Sequence, residues 1–235
     1  MSLLNTSMIN SIKMDLPHAI FSPSQSTWLY DSPESFEARL KTKFRSDLGV
    51  EFHEWACTQI QLGQQWTNQR EIMKSIKTMI FKKYCFKDNR TGKTCITYKG
   101  LMLLRTMQYI DSTVYGTIKN YINDAVKFDM DPEVTLCYNI DLQGTADAVK
   151  FDGKLLRIHD LKTGVIPAKF DQLLLYSVYY CSEHNVSPDN IDIELRIYQN
   201  NEVSVASPAK EDIHEVSRLL DEKAKLINKF KGGKL

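Results

Sequence analysis

The sequence lacks three features that would define its class at once: a long apolar run, a Cys-x-x-Cys pair and an excess of charge of one sign. No stretch approaches the roughly 20 apolar residues of a membrane span. Near the first residue, Lys13, Asp15 and Pro17 interrupt the apolar stretches, so we expect no signal-peptide core there. We therefore expect a soluble intracellular protein with no membrane partner, either cytoplasmic or associated with host DNA if the source is viral.

The cysteines and the charge balance narrow the class further. The five cysteines are an odd number in a chain of 235 residues, which is too large to need disulfide staples, so we expect reduced thiols. A net charge of +1 argues against a protein that coats nucleic acid through bulk charge, although local basic patches remain compatible with it. The chain has no internal repeat and no Gly/Ser-rich linker, and 43% of it is hydrophobic. These features predict one domain over residues 1–235.

The hydrophobic periodicity predicts helices followed by a strand meander and then a helix, a strand and a final helix. The expected helices cover about 34–62, a second stretch to about 84, 100–128, 167–184 and 208–230. The expected strands cover 133–138, 143–151, 154–160 and 191–199. This order predicts an α/β fold with a central mixed sheet flanked by helices and with an N-terminal helical part.

Two carboxylates and a lysine fall on one face of a predicted hairpin. If Asp152 and Gly153 form a two-residue turn, Asp147 lies opposite Ile158 and diagonal to Asp160. Since strand side chains repeat with period two, Lys162 shares this face. The two carboxylates can then hold one divalent cation beside an ammonium group, an arrangement suited to phosphodiester hydrolysis.

An isolated Asp-x-Lys tripeptide is more often a solvated strand end than a catalytic site. Here Gly144-Thr145-Ala146-Asp147 precedes it in compatible register, and Thr163-Gly164 follows before a helix. Together these segments favour a site.

These motifs resemble those of the PD-(D/E)xK nuclease superfamily, specifically its RecB-like branch. Asp147 matches a G-x-x-D motif, although Ala146 stands where the family label has proline, and residues 160–164 match D-x-K-T-G. Further matches are the Q-x-x-x-Y pair Gln172 and Tyr176, the G-x-x-x-H-E element of Gly49, His53 and Glu54, and the opening segment Ser22-Pro23-Ser24 with Pro33.

The resemblance implies a restriction-endonuclease-like core and a Mg²⁺ or Mn²⁺ cofactor. It implies that His53, Asp147, Asp160 and the backbone carbonyl of Leu161 bind the metal. The catalytic residues would be Asp147, Asp160, Lys162, Gln172 and Tyr176. Two alternatives stay open: His53 can be an ordinary core histidine, and the Gln172–Tyr176 pair can be ordinary helix packing. No iron–sulfur cluster is expected, because Ser32 stands at the early cysteine position and no cysteine follows Cys181.

A basic segment between Arg70 and Arg105 is the expected contact region for nucleic acid. It contains ten lysines and arginines against only Glu71 and Asp88, with aromatic residues between them. We expect contacts from Lys82, Lys83, Arg90 and Lys93. A solvated helix face with core aromatics is the alternative for any one of these residues.

The sequence therefore predicts a metal-dependent DNA nuclease, an exonuclease or end-processing enzyme of recombination, repair or replication. Its expected substrate is DNA with a free end or a single-stranded region, and a recombination or replication protein is a further expected partner. The alternative is a module that kept the fold without catalysis and binds nucleic acid or a protein. Retention of both acids and the lysine favours the enzyme, because phosphate binding gains nothing from adjacent carboxylates. A sequence-specific endonuclease is less supported, since no recognition domain is apparent.

Overall fold

The protein is described by a computed structural model covering residues 23–232. Its contacts divide the chain into two compact units, Met1–Arg45 and Ser46–Leu235. In the first unit, a 3-10 helix at Pro23–Tyr30 precedes the start of a long helix. Ser22, part of the opening motif, lies outside the described residues. None of the helices in the described part of the chain is long and apolar enough to cross a membrane.

Six α-helices are found over residues 23–232. They are α1 (Pro33–Gln61), α2 (Gln69–Tyr84), α3 (Tyr98–Thr106), α4 (Ser112–Lys127), α5 (Asp171–Glu183) and α6 (Lys210–Lys231). The single helix predicted over 100–128 is instead two helices, because Asp111 accepts a hydrogen bond from the amide of Thr113 and caps a new helix there. The helix predicted from about 167 begins only at Asp171, and in the segment before it the amide of Ala168 donates to the side chain of Gln199.

The main sheet has five strands in the order β3-β4-β5-β6-β7. The strands are β3 (Asp131–Asn139), β4 (Leu142–Phe151), β5 (Leu155–Leu161), β6 (Asp192–Gln199) and β7 (Glu202–Ala206). Among the strands within residues 23–232, only β5 and β6 pair in parallel, and α5 lies in the crossover between them, as a parallel connection requires. The expected α/β class is confirmed: a mixed sheet is flanked by helices, with an N-terminal helical part.

Two apolar clusters cover the two faces of this sheet. One contains Ile76 of α2 and Ile118 of α4 and reaches Leu161 of β5. The other joins Leu173 of α5 to Ile158 on the same strand. Because β5 is buried on both faces, a charged residue on this strand needs a specific reason to be there.

The register of the β4–β5 hairpin differs from the expected one by two residues. Val149 pairs with Ile158 and Phe151 with Leu156, so the expected pairing of Asp147 with Ile158 is wrong. The turn is longer than Asp152-Gly153 alone because the Asp152 side chain accepts hydrogen bonds from the amides of Lys154 and Leu155. A shift of two residues preserves side-chain alternation, and Val149, Leu156 and Ile158 do share one apolar cluster. Around Asp147 the alternation of β4 is interrupted, because Ala146 and Val149 lie in that cluster and Ala148 in the other.

Three short strands were not predicted. The strands β1 (Cys85–Lys87) and β2 (Thr94–Ile96) form a separate hairpin around the predicted turn at 88–92. The third is β7, which pairs with β6 at the edge of the main sheet. Segments of three to five residues are too short for a period-two pattern to be distinguished from a loop.

Candidate metal centre

Asp147 and Asp160 lie side by side on adjacent strands. The paired part of the two strands ends at Ala148 and His159, and continuing that register by one residue would set Asp147 opposite Asp160 rather than diagonal to it. Oδ2 of Asp147 accepts a hydrogen bond of 2.7 Å from the amide of Leu161, which ties the end of β5 to β4. The metal-ligand role of the Leu161 carbonyl remains a prediction.

A third carboxylate, which the sequence analysis missed, extends this row. The β3–β4 register pairs Pro132 with Ala148 and Val134 with Ala146, so Glu133 lies opposite Asp147. Like charges directly opposite one another destabilise a sheet, and here three occur in a row across three strands. Glu133 also has a φ of 54°, a left-handed conformation that is costly for a residue with a side chain and that clusters at functional sites. Such a row indicates a cationic partner.

His53 reaches this row from α1. Its Nδ1 lies 3.5 Å from Oδ2 of Asp147. One donor atom from each of His53, Glu133 and Asp147 lies within 4.8 Å of the other two, a spacing that can hold a metal ion. One helical turn earlier, a Cβ added to Gly49 would lie only 3.2 Å from Oγ1 of Thr163. The glycine of the G-x-x-x-H pattern therefore allows α1 to approach the exit of β5 closely.

Asp160 is outside this group of three, but its charge interacts with those of Asp147 and His53. The residue is 3% exposed. Its Oδ1 accepts a hydrogen bond of 2.9 Å from Nζ of Lys162. Its Oδ2 is buried and has no hydrogen-bond partner among the described residues. A buried carboxylate oxygen without a partner is costly, and a cation bound next to it would remove that cost.

Lys162 is held in place by a chain of hydrogen bonds from α5. Its Nζ donates to Oε1 of Gln172 at 3.2 Å, and Nε2 of Gln172 donates to the Tyr176 hydroxyl at 3.1 Å. That hydroxyl donates in turn to the carbonyl of Thr145 at 2.8 Å. A Cβ added to Gly144 would lie 2.9 Å from the Tyr176 ring. The glycine of the G-x-x-D motif therefore leaves room for the Tyr176 side chain. These hydrogen bonds link Gln172 and Tyr176 to Lys162, and the catalytic role expected for the two residues remains a prediction.

The mutual charges of the site alter three pKa values. Burial opposes the charged form of His53, but the hydrogen bond to Asp147 and the nearby carboxylates outweigh it and raise the pKa of this imidazole. Burial, followed by the charge of Asp147, raises the pKa of Asp160, while Lys162 acts in the opposite direction. Burial and the charge of Asp147 also raise the pKa of Glu133. The negative charge of the neighbouring carboxylates contributes to all three shifts, and burial is the larger cause for Asp160 and Glu133.

The donor set fits Mg²⁺ or Mn²⁺. Three carboxylates supply the hard oxygen ligands that both ions prefer, and one imidazole suits Mn²⁺ better than Mg²⁺. The residues that would hold the ion are His53, Glu133, Asp147 and Asp160.

We expect Glu133→Gln to weaken Mn²⁺ binding by at least about tenfold, since losing even a partner of a ligand typically has that effect. Isothermal titration calorimetry would measure the affinity. Glu54→Gln is the matched control, because Glu54 lies one residue after His53 on α1 but pairs with Lys83. Equal affinities in Glu133→Gln and the unmodified protein would remove Glu133 from the site.

We expect the Mn²⁺ affinity to rise as the pH increases through and above 6.5, because the metal needs neutral imidazole and the pKa of His53 is raised above that value. Without metal the sign is opposite: the charged imidazole stabilises the fold below 6.5, and this contribution is lost as the pH rises through the raised pKa. Calorimetry in buffers of different ionisation enthalpy would count the protons released. His53→Gln should abolish this release, whereas His214→Gln, whose histidine pairs with Asp189, should not.

The four residues expected to contact nucleic acid differ in whether their charge is already paired within the protein. Lys82 is exposed near the end of α2, and Arg90 and Lys93 are exposed between β1 and β2. Lys83 instead forms ion pairs with Glu54 and with the buried Glu51, at 3.1 Å from the latter. Its charge is therefore already engaged, which makes it a weaker candidate for phosphate contact. The aromatic residues Phe81, Phe86 and Tyr98 of the basic segment are exposed.

Comparison of the chain with models of known protein families, with curated proteins and with solved structures finds no match.

Proposed function

We propose that the chain is a divalent-metal-dependent DNA nuclease that acts at free ends or on single-stranded regions, as an exonuclease or end-processing enzyme. The observation that carries the proposal is the presence of three carboxylates, Glu133, Asp147 and Asp160, on three adjacent strands. One of their oxygens, Oδ2 of Asp160, is buried and has no hydrogen-bond partner in the described part of the chain. No structural benefit explains three adjacent carboxylates, whereas a bound cation does.

The chain's own residues supply the rest of the chemistry. A bound Mg²⁺ or Mn²⁺ would polarise a phosphate oxygen and lower the pKa of a water molecule. The three acids and His53 would hold that ion. Lys162 places an ammonium group beside Asp160, where it can stabilise negative charge developing on the phosphate. Gln172 limits the freedom of that ammonium group through its hydrogen bond.

Nucleic acid as the substrate is supported by the basic segment. Phosphate contacts favour clustered lysines and arginines, and exposed aromatic rings between them allow unpaired bases to stack. This segment follows α1, the helix that carries His53. Preference for DNA and for free ends comes from the resemblance to RecB-like nucleases.

The test is a cleavage assay with purified protein and Mg²⁺ or Mn²⁺ on end-labelled linear single strands, linear duplex and covalently closed circles. We expect cleavage of the linear substrates alone, and none with EDTA. Asp147→Asn is the inactive control. Cleavage of circles at the same rate would contradict action at ends. Binding without cleavage by the unmodified protein would favour the non-catalytic module instead.

A further inference from the structure

The loop that follows the site presents apolar side chains to solvent. Between β5 and α5, Val165 is 70% exposed and Ile166 82% exposed, and the adjacent Pro167 is exposed as well. Single exposed apolar residues are common on protein surfaces, but consecutive ones beside a charged centre are not explained by that tendency. We call residues 165–167 the apolar tip.

The apolar tip is held firmly by one residue from another strand. Gln199, the last residue of β6, donates from Nε2 to the carbonyls of Gly164 and Ile166 at 2.8 and 2.7 Å. Its Oε1 accepts from the amide of Ala168 at 3.1 Å. These three hydrogen bonds fix the backbone on both sides of the tip, so its side chains are exposed in a defined position rather than on a freely moving loop.

The tip lies within reach of whatever the site binds. Val165 is three residues after Lys162, a separation that spans at most about 10 Å. Since successive nucleotides of a stacked strand are about 3.4 Å apart, the tip lies within about three nucleotides of a phosphate at Lys162. A strand whose phosphates face the acids and Lys162 carries its bases to the side, and bases offer the flat apolar faces that these side chains can contact.

We propose that the apolar tip is a wedge that packs against the terminal base pair of a DNA duplex and unstacks it, so that one strand enters the metal centre. The inference rests on the proposed function and extends it by naming the substrate class, a duplex with an end. Apolar side chains inserted at base steps unstack them in many DNA-binding proteins, and a wedge must be held rigidly to do so. Gln199 supplies that rigidity.

The test compares Val165→Ser/Ile166→Ser with the unmodified protein on a blunt duplex and on the corresponding single strand. We expect cleavage of the duplex to fall by roughly tenfold or more, since unstacking a terminal pair is costly, and cleavage of the single strand to stay nearly unchanged. Leu226→Ser/Phe230→Ser is the matched control, because it removes two exposed apolar side chains from α6. Gln199→Ala should change activity in the same direction as the wedge variant.

A second readout does not require cleavage. In an Asp160→Asn background, a duplex with 2-aminopurine in the terminal pair should become brighter on binding, and the serine substitutions should abolish that increase. Equal losses on duplex and single strand, or no loss on either, would overturn the wedge. If the unmodified protein cleaves nothing, the proposed function fails, and the fluorescence change alone decides the wedge. Binding without that change, or no binding, overturns it.

Discussion

Asp160→Asn is expected to lower the rate of DNA cleavage by a factor on the order of 10³ or more, while the fold remains intact. The substitution keeps the size of the side chain and removes the negative charge that a cation needs. It also removes the buried oxygen that has no partner in the described structure. Single-turnover rates with saturating metal would measure the loss in activity, and calorimetry would measure the accompanying loss of Mn²⁺ affinity.

The melting temperature of Asp160→Asn distinguishes a metal-binding role of Asp160 from a purely structural one. The pKa of Asp160 is raised by burial and by Asp147, so the ionised form is penalised in the fold at any pH well above 3.8. Neutralising it should leave the melting temperature in EDTA unchanged or raise it, as is common where function opposes stability. Asp192→Asn, at the far end of β6 opposite Leu155, is the control. A marked fall in melting temperature, without change in metal affinity, would assign Asp160 to the core.

The sequence allowed Asp147, Asp160 and Lys162 to be grouped because strand alternation depends only on local spacing. The register error of two residues left Val149 and Ile158 on one face, since two steps along a strand return to the same face, but spacing alone did not show that alternation is interrupted between Ala146 and Val149. Glu133 was not found because its place depends on the β3–β4 register. The turn between these strands, Asn139-Ile140-Asp141, contains no glycine that would mark its type, and a bulge follows Cys137. An acidic residue on the preceding strand, opposite Asp147, is the feature by which Glu133 could have been found in the sequence.

Other features depend on contacts between distant parts of the chain. The distance of His53 from the acids is set by the packing of α1, to which Gly49 and Thr163 contribute. Likewise, the backbone of the apolar tip is held by Gln199, more than 30 residues later. Local patterns predict which elements form, but side-chain hydrogen bonds across the fold decide where such a loop points.

Lys162→Met is expected to reduce turnover by roughly 10²- to 10³-fold while metal affinity is retained, because an ammonium group cannot be a cation ligand. Methionine keeps a long unbranched side chain, so the comparison isolates the charge. The loss should appear in kcat rather than KM, since the ammonium group acts on charge that develops in the transition state. Lys154→Met, an exposed lysine in the turn at the opposite end of β5, is the matched control.

The Lys162→Met variant also tests how the charge of Lys162 affects the pKa of Asp160 and the binding of metal. Lys162 lowers the pKa of Asp160, so in Lys162→Met that pKa should rise further and metal binding should require a higher pH. Above that pH, binding should be at least as tight as in the unmodified protein, because a positive charge no longer repels the ion. A loss of affinity that persists at high pH would mean that Lys162 organises the ligands and has no separate role in turnover. Gln172→Ala removes the hydrogen bonds to Nζ of Lys162 and to the Tyr176 hydroxyl but keeps the ammonium group, so its kcat should lie between those of the unmodified protein and Lys162→Met, with metal affinity unchanged.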